Sequence, residues 1–378
     1  MMLLAAPFAL VATASASAAL PRPADILAQT RRVADWQIAH RDTLDIVFAG
    51  RPSARNPRDW QQATFWMAMT DLADRDARYR PLLLALGRDQ QWKLGDRPFH
   101  ADDQLIGQVW LWAARNGAGR AAIDPMRAYF DKILAAPPQG SLTFVAPAGG
   151  GDPECTTRWC WCDALFMAPP TLIRLSKATG DPRYARFAHA EFAATRALLF
   201  DTSEHLFFRD SRFLDRRDAA GRKLFWSRGN GWVMAGLVRM IETLDRKDPA
   251  RARYVALFRD MAARIVTLQR PNGYWAPSLL DNGPDALPET SGTGFFVYAF
   301  ARGIALGLLD RPTYLPAVEK GWDAIGRAIR PDGMIGWVQR VGDRPDSVAA
   351  GDTQFYGAGA VVLAGTAYYD LSRAEGRR

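Results

Sequence analysis

A carboxylate stands beside aromatic rings and a fixed positive charge at the start of an apolar segment. Asp163 follows Arg158, Trp159 and Trp161 and leads directly into the apolar stretch 164–170. Because burial against indole rings raises a carboxyl pKa, Asp163 is a candidate proton donor near neutral pH. An Asp just before an apolar helix is also a common N-cap, so a structural role stays open for this residue.

A second cluster repeats the combination of aromatic rings and charge. Arg228 lies between Trp226 and Trp232. A guanidinium suits the recognition of a carboxylate, and indole rings stack on the faces of sugars. Pairing of Arg228 with an acidic neighbour in the fold is the alternative. Taken with Asp163 and Trp161, this cluster predicts a binding site for an anionic sugar.

Four further residues are candidates for the same site. Asp102 and Asp103 precede a helical stretch, and we expect one of them to cap that helix while Asp103 points into the site. Trp66 most simply packs in the core, although its position also allows it to reach the site. Thr293 closes the motif 289–293, which either lines the site or only begins a helix.

Composition limits what such a site can serve. The chain has 378 residues, 48% of them hydrophobic and 23% charged, which suits one large globular domain or two smaller ones. Its formal net charge of +8 favours an acidic partner. Nucleic acid is disfavoured, because the basic residues are scattered and form no Lys/Arg runs. The cysteines, Cys155, Cys160 and Cys162, allow a Cys155–Cys160 disulfide but lack zinc spacing, so no metal site is predicted.

The start of the chain is typical of an exported protein. Residues 1–19 are uncharged, rich in Leu, Ala, Phe and Val, and end in small residues with Ala-x-Ala spacing. This pattern predicts a secretory signal peptide, although the missing basic n-region leaves a mis-assigned start or a truncated leader open. We expect residues 20–378 to form a single catalytic domain that is periplasmic or secreted. No other stretch is long and apolar enough to span a bilayer.

Hydrophobic periodicity predicts helices along almost the whole chain after the leader. The twelve predicted helices are 22–41, 58–75, 77–90, 101–117, 121–135, 163–180, 182–199, 228–245, 250–270, 290–309, 312–330 and 353–373. Short links alternate with longer ones, which favours six helical hairpins that close on themselves. The predicted fold is therefore all-α, an (α/α)6 barrel or six-hairpin toroid. In such a barrel the inner helices begin at one mouth, so we expect Asp163, Asp103, Arg228 and the 289–293 motif to converge there.

Six segments together carry a family resemblance. They are 92–95, 100–104, 161–170, 207–212, 226–232 and 289–293, and they span nearly the whole chain after the leader. These segments resemble those of the unsaturated uronyl hydrolases of glycoside hydrolase family 105, which is related to family 88. The resemblance implies an (α/α)6 barrel that removes a 4,5-unsaturated uronic acid from oligosaccharides made by a polysaccharide lyase. It also implies that Asp163 initiates cleavage, that Asp103 assists, and that Trp226, Arg228 and Trp232 line the sugar subsite.

The implied chemistry needs one acid/base group. A neutral Asp163 protonates C4 of the vinyl ether, positive charge develops at C5, and the resulting carboxylate activates the water that attacks there. The hydrated sugar then collapses with loss of the aglycone, so no metal or organic cofactor is required. An ordinary glycosidase instead needs two carboxylates that flank the bond.

Two other classes of protein stay open. A polysaccharide lyase or sugar epimerase on the same barrel would need a His or Tyr base at the mouth, and the chain has only four His. A non-catalytic carbohydrate-binding barrel would keep the aromatic rings and could dispense with Asp163. The stretch 207–213, which contains Arg209, departs from the rhamnogalacturonan-type members. The preference between glucuronyl and galacturonyl substrates therefore stays open, as do the parent polysaccharide and the oligomeric state.

Overall fold

A computed structural model describes residues 20–42, 47–48, 51–52, 56–281, 283–284 and 286–375. The predicted signal peptide, residues 1–19, lies outside this part of the chain. No helix in the part that is described is both long and apolar enough to cross a membrane.

Helices dominate the described structure, in agreement with the predicted all-α class. They are α1 Pro23–Ala39, α2 Trp60–Ala73, α3 Arg80–Asp89, α4 Ala101–Gln104, α5 Gly107–Ala113, α6 Arg120–Ala135, α7 Ala164–Met167, α8 Pro169–Thr179, α9 Pro182–Leu199, α10 Ser227–Thr243, α11 Pro249–Val266, α12 Thr290–Ala305, α13 Arg311–Ala328 and α14 Phe355–Glu375. Two short antiparallel strand pairs join β1 Val47–Phe48 to β2 Arg51–Pro52 and β3 Phe200–Asp201 to β4 Leu206–Phe207. Each of the twelve predicted helices corresponds to one or two of these helices.

Two of the predicted helices are interrupted. The predicted helix 101–117 divides into α4 and α5, and the predicted helix 163–180 divides into α7 and α8 at Ala168. Pro169 and Pro170 have no backbone N–H to donate, so the hydrogen bonds of α7 cannot continue across them, and α8 begins with these prolines in its first turn. As a result α7 is a single turn that directly follows Asp163.

The helices pack in two layers. The inner helices are α2, α5, α8, α10, α12 and α14: each contacts the next, and α14 contacts α2, which closes the circuit. The outer helices α1, α3, α6, α9, α11 and α13 each pack against one or two of these. Burial agrees with this division, because α10 and α12 are buried on nearly all sides whereas α9 and α11 bury only one face.

Charged side chains in the carboxyl-terminal halves of α2, α10, α12 and α14 join the inner helices. Arg239 of α10 is fully buried and donates to Gln108 Oε1 of α5 at 2.8 Å and to Asp71 Oδ2 of α2 at 3.0 Å. It also donates to the Tyr298 hydroxyl of α12 at 3.3 Å. Burial alone would raise the pKa of Asp71, but the charges of Arg239 and Arg75 outweigh burial and hold that pKa below its ordinary value. One ionised pair therefore connects four inner helices.

A second guanidinium extends these contacts to the last helix. Arg302 of α12 donates to Glu242 Oε1 of α10 at 2.6 Å and to Asp370 Oδ2 of α14 at 3.4 Å. Asp370 also pairs with Arg75, two residues beyond the end of α2. We call this set the carboxyl-end network; it consists of Asp71, Arg75, Arg239, Glu242, Arg302 and Asp370.

Candidate active site

A cavity of about 630 Å³ lies at the opposite, amino-terminal ends of the inner helices. Asp59 and Trp60 line it from the start of α2, and Asp102 lines it from α4. Asp163 faces it from the residue before α7, and Trp226 from the residue before α10. The starts of α2, α4, α7 and α10 therefore converge on one pocket.

Asp163 is a buried carboxyl at this cavity, and it is 7% exposed. Asp163 occupies the N-cap position of α7, but its side chain makes no capping hydrogen bond to that helix. Burial raises the pKa of Asp163, and the opposing charges of Arg209 and Arg228 do not cancel that effect. The carboxyl consequently keeps its proton to a higher pH than a free Asp does.

Covalent and backbone links hold the segment before Asp163. Cys155 and Cys160 form the disulfide that the spacing allowed. Beyond it, the Cys162 N–H donates to the Arg209 carbonyl at 2.8 Å. The buried Cys162 thiol donates to Asp163 Oδ2 at 3.5 Å. Asp163 is therefore presented by a short, tethered stretch of chain.

Of the two indoles next to Asp163 in the sequence, only Trp161 lines the cavity. The Trp161 ring lies 5.0 Å from the His100 ring, measured between centroids. Trp159 has a left-handed backbone with φ of 55° and packs against Phe187. The expectation that both indoles adjoin the acid is therefore corrected: Trp159 belongs to the core.

Arg209 is the cation nearest to this acid. Its Nε lies 3.5 Å from Asp163 Oδ2, and its Nη1 donates to Asp210 Oδ2 at 2.8 Å. Arg209 lines the cavity, with 16% of its side chain exposed. Sequence reasoning placed Arg209 in a stretch that affects substrate choice but did not assign it to the site.

The two adjacent aspartates depart from their predicted roles, and the side chain of His100 rather than that of either aspartate caps α4. Asp102 lines the cavity, whereas Asp103 does not. Asp103 accepts hydrogen bonds from the Arg97 backbone N–H at 2.7 Å and from Arg97 Nη2 at 2.6 Å. The prediction that Asp103 points into the site is therefore wrong, because its carboxylate is bound by Arg97 and does not line the cavity.

Asp102 and His100 form a second ionisable pair beside the cavity. Burial raises the pKa of Asp102 to about 7; Arg97 opposes this shift, and the negative charges of Asp103 and Asp163 add to it. Burial lowers the pKa of His100 to about 4, and the charge of Arg97 acts in the same direction. His100 Nδ1 accepts the Asp102 N–H at 3.3 Å, as a neutral imidazole can.

Arg228 is placed away from the cavity surface, contrary to its predicted role. It is fully buried, and it donates from Nη1 to the Gln339 carbonyl at 2.6 Å and from Nη2 to the Arg340 carbonyl at 2.9 Å. Its guanidinium lies over the rings of Trp226 and Tyr356, 4.3 and 4.6 Å from their centroids. The predicted pairing of Arg228 with a substrate carboxylate is therefore corrected, because Arg228 is fully buried and does not line the cavity.

Three other predicted binding residues are core residues. Trp232 packs against Phe166 and Phe295, at centroid distances of 4.8 and 4.2 Å, beneath the cavity residues. Trp66 is 1% exposed within α2. The Thr293 hydroxyl donates to the Glu289 carbonyl at 2.7 Å, so Thr293 serves the first turn of α12. None of Trp232, Trp66 and Thr293 lines the cavity.

The aromatic lining consists of the predicted residues Trp161 and Trp226, together with Trp60 and Phe144. Trp226 Nε1 donates to Gln339 Oε1 at 2.9 Å, which fixes the orientation of its ring. The Trp60 ring stacks on that of Tyr356 at a centroid distance of 5.1 Å. Sequence reasoning did not assign Trp60 to the site. Trp60 lies near the start of a predicted helix, which is the same signal that identified Asp163.

Asp59 is another carboxylate that lines the cavity, and sequence reasoning did not identify it. Burial raises its pKa to about 6, and the charge of Asp103 adds to the shift. Despite the carboxylates at this mouth, the described residues contain no group of three or more His, Cys, Asp or Glu arranged to hold a metal ion.

A buried acid, further carboxylates, three guanidinium groups and three indoles line this one cavity, a combination suited to a carbohydrate-active hydrolase. The chain belongs to Glycosyl Hydrolase Family 88, whose model matches residues 29–372. This membership makes the protein a glycoside hydrolase, as the sequence predicted.

Individual proteins are similar to this chain over most of its length. The chain is 39% identical over 346 residues to an unsaturated 3S-rhamnoglycuronyl hydrolase from Alteromonas sp. (strain LOR), which covers 88% of this chain and 82% of the relative. A solved structure of a family 88 glycosyl hydrolase from Bacteroides vulgatus is 25% identical, with a TM-score of 0.80 over 93% of this chain and 100% of that chain. Another solved structure, described as a polysaccharide lyase, is 26% identical, with a TM-score of 0.78 over 93% of this chain and 98% of that chain.

Proposed function

We propose that this protein is an unsaturated uronyl hydrolase. It removes a 4,5-unsaturated uronic acid from the non-reducing end of oligosaccharides that a polysaccharide lyase has generated. The observation that carries this proposal is Asp163, a buried carboxyl with a raised pKa that faces the cavity beside the guanidinium of Arg209. The name of the Alteromonas relative supports the same substrate class.

Asp163 serves as acid and then as base in the proposed reaction. The protonated carboxyl gives its proton to C4 of the sugar double bond, and the ring oxygen stabilises the positive charge that forms at C5. Water adds at C5 and returns a proton to the Asp163 carboxylate. The resulting hemiketal opens and releases the aglycone, so each turnover consumes one water and regenerates the acid.

Asp102 takes the assisting role that the family resemblance assigned to Asp103. Its carboxyl faces the same cavity, and its charge is coupled to that of Asp163. With a pKa of about 7, Asp102 exchanges a proton easily near neutral pH, and His100 beside it remains a neutral hydrogen-bonding group. Asp102 is therefore suited to orient the water or a sugar hydroxyl.

Arg209 holds the carboxylate of the sugar in this proposal. The substrate class requires a cation next to the acid, and Arg209 is the guanidinium that both lines the cavity and lies next to Asp163. A substrate carboxylate at Arg209 places C5, to which it is attached, near the carboxyl that protonates C4. Trp161, Trp226 and Trp60 supply the faces on which sugar rings stack.

The same proposal extends to architecture and location. The closed circuit of contacts among α2, α5, α8, α10, α12 and α14 supports an (α/α)6 barrel, formed by residues 20–378 as one domain. The motifs 161–170 and 226–232 favour family 105, the relative of family 88, as the finer assignment. The uncharged segment 1–19 supports export to the periplasm or the medium.

Ultraviolet absorbance of the conjugated unsaturated uronate tests the activity directly. Purified protein is mixed with lyase-generated oligosaccharides, and the absorbance should fall as the double bond is hydrated. The matched control is the Asp163→Asn variant, for which the absorbance should stay constant.

The alternatives give different signals in the same assay. A polysaccharide lyase, a class suggested by the description of one similar structure, makes the absorbance rise when intact polysaccharide is supplied. A binding protein leaves the absorbance constant with both substrates. Either result with the wild-type protein would reject the proposed hydrolase.

A further inference from the structure

One wall of the cavity comes from a link outside the inner helices. Val341, Gly342, Asp343 and Arg344 line the cavity from the connection between α13 and α14. We call residues 339–344 the 339–344 wall. Whatever fixes the backbone of this wall also fixes the shape of the site.

Arg228 makes hydrogen bonds to the backbone of this wall. Its Nη1 and Nη2 donate to the carbonyls of Gln339 and Arg340, at 2.6 and 2.9 Å. The Tyr356 hydroxyl donates to the same Gln339 carbonyl at 2.7 Å, and Glu289 Oε1 accepts the Gln339 N–H at 3.3 Å. Because Arg228 is fully buried, these charge-assisted bonds are shielded from water.

The guanidinium is shaped and placed for this role. It lies over the rings of Trp226 and Tyr356, which restrict it to one plane. Both of its Nη atoms donate to main-chain oxygens of consecutive residues, a task that the planar fork of Arg performs and a single ammonium does not. Arg228 therefore acts as a clamp on the backbone of the wall.

The wall is also connected to the residues that act on the sugar. Asp343 pairs with Arg212 at 2.7 Å, and Arg212 shares Asp210 with Arg209. Both of these contacts to Asp210 are 2.8 Å long. A displaced wall would therefore disturb Arg209, the proposed partner of the substrate carboxylate.

We propose that Arg228 is a positioning residue that clamps the 339–344 wall in its substrate-binding conformation and does not itself contact the substrate. This inference rests on the proposed function, since it concerns the cavity in which the unsaturated uronide is bound. It replaces the pairing with the substrate carboxylate that the sequence predicted for Arg228.

The test compares two Arg228 variants with a matched control. Arg228→Met removes the charge and both donors, whereas Arg228→Lys keeps the charge and loses the bidentate fork. Arg259→Met is the control, because Arg259 also donates to a backbone carbonyl, that of Leu308 at 2.8 Å, but does not line the cavity. Amide hydrogen exchange of peptides that cover 339–352 is measured without substrate, and kcat and KM are measured with unsaturated oligosaccharide.

In Arg228→Met we expect faster exchange in 339–352 and a KM raised by about tenfold or more, as expected for loss of a charge-assisted contact that orders a binding surface. The alkaline limb of its kcat/KM profile should move to higher pH, because a positive charge near Asp163 is lost. Arg228→Lys should show intermediate exchange with the limb unmoved, and Arg259→Met should match the wild type. Tyr356→Phe removes one hydrogen bond to the same Gln339 carbonyl and should show a smaller increase in exchange. This variant replaces Arg228→Met in the test if Arg228→Met does not fold.

Unchanged exchange in 339–352 in both Arg228 variants, together with a raised KM, would overturn the proposal and return Arg228 to direct substrate contact. Failure of the proposed function is a separate result, since the wild-type protein would then leave the absorbance of unsaturated oligosaccharide constant. In that case the exchange data alone decide whether Arg228 clamps the wall.

Discussion

Arg209 Nε lies 3.5 Å from Asp163 Oδ2, so the proposed acid and the proposed carboxylate-binding residue are in contact before any substrate arrives. The two residues come from different links: Asp163 directly precedes α7, and Arg209 follows β4. Their contact opposes the effect of burial on the Asp163 pKa. A substrate carboxylate that binds Arg209 would neutralise this charge and so make the Asp163 proton easier to retain until it is transferred.

Asp163→Asn should abolish turnover while preserving the fold. We expect kcat to fall by at least about a hundredfold, as is typical when a general acid is lost. The melting temperature at neutral pH should be equal to or above that of the wild type. The folded-state pKa of Asp163 is raised, so its contribution to stability is present at low pH and lost as pH rises through that pKa. Turnover near the wild-type rate would remove Asp163 from the mechanism.

Asp102→Asn and Asp103→Asn form a matched pair that tests which aspartate assists. We expect Asp102→Asn to lower kcat by about tenfold or more, because its carboxyl faces the cavity. Asp103→Asn should keep most of its activity but unfold at a lower temperature, since Arg97 loses its partner. The reverse pattern of rates would restore Asp103 to the site.

The pH dependence of kcat/KM should show a falling alkaline limb. Asp163 must be protonated to act, and burial raises its pKa, so the rate falls as pH rises through that raised value. A mildly acidic optimum is expected, measured by initial rates well below saturation. A rate that stays flat from weakly acidic to clearly alkaline pH would mean that no carboxylic acid supplies the proton.

Arg209→Lys should impair binding more than the chemical step. Lys keeps the positive charge but loses the planar fork, so KM should rise by about tenfold or more while kcat changes less. Because the charge near Asp163 is retained, the alkaline limb should stay in place. An unchanged kcat/KM would exclude Arg209 as the partner of the sugar carboxylate.

Arg239→Met should destabilise the fold without touching the site. Removal of this buried guanidinium leaves Asp71 without its main partner, a change that typically costs about 3–5 kcal/mol. Urea unfolding measures this loss, and kcat of the folded fraction should be unchanged. The exposed Arg183, which pairs with Asp181 at 2.7 Å, is the control, and Arg183→Met should have little effect. Equal stabilities of the two variants would argue against a role for the carboxyl-end network.

The helices and the place of the site followed from local sequence signals, because periodicity and helix starts depend on nearby residues. The direction in which a side chain points could not be predicted from these local signals, because it depends on residues elsewhere in the chain. The choice between Asp102 and Asp103 depends on Arg97 in the preceding link. The partners of Arg228 are main-chain carbonyls 111 and 112 residues away, which carry no sequence signature.

The carboxyl-end network has a consequence for protein engineering. Its ion pairs join the inner helices at one end, whereas every residue proposed to meet the sugar lies at the other. Replacement of a link at the mouth, such as the one between α13 and α14, would leave the ion pairs of the carboxyl-end network in place. The substrate range of this scaffold should therefore be open to change by loop exchange without redesign of the helical core.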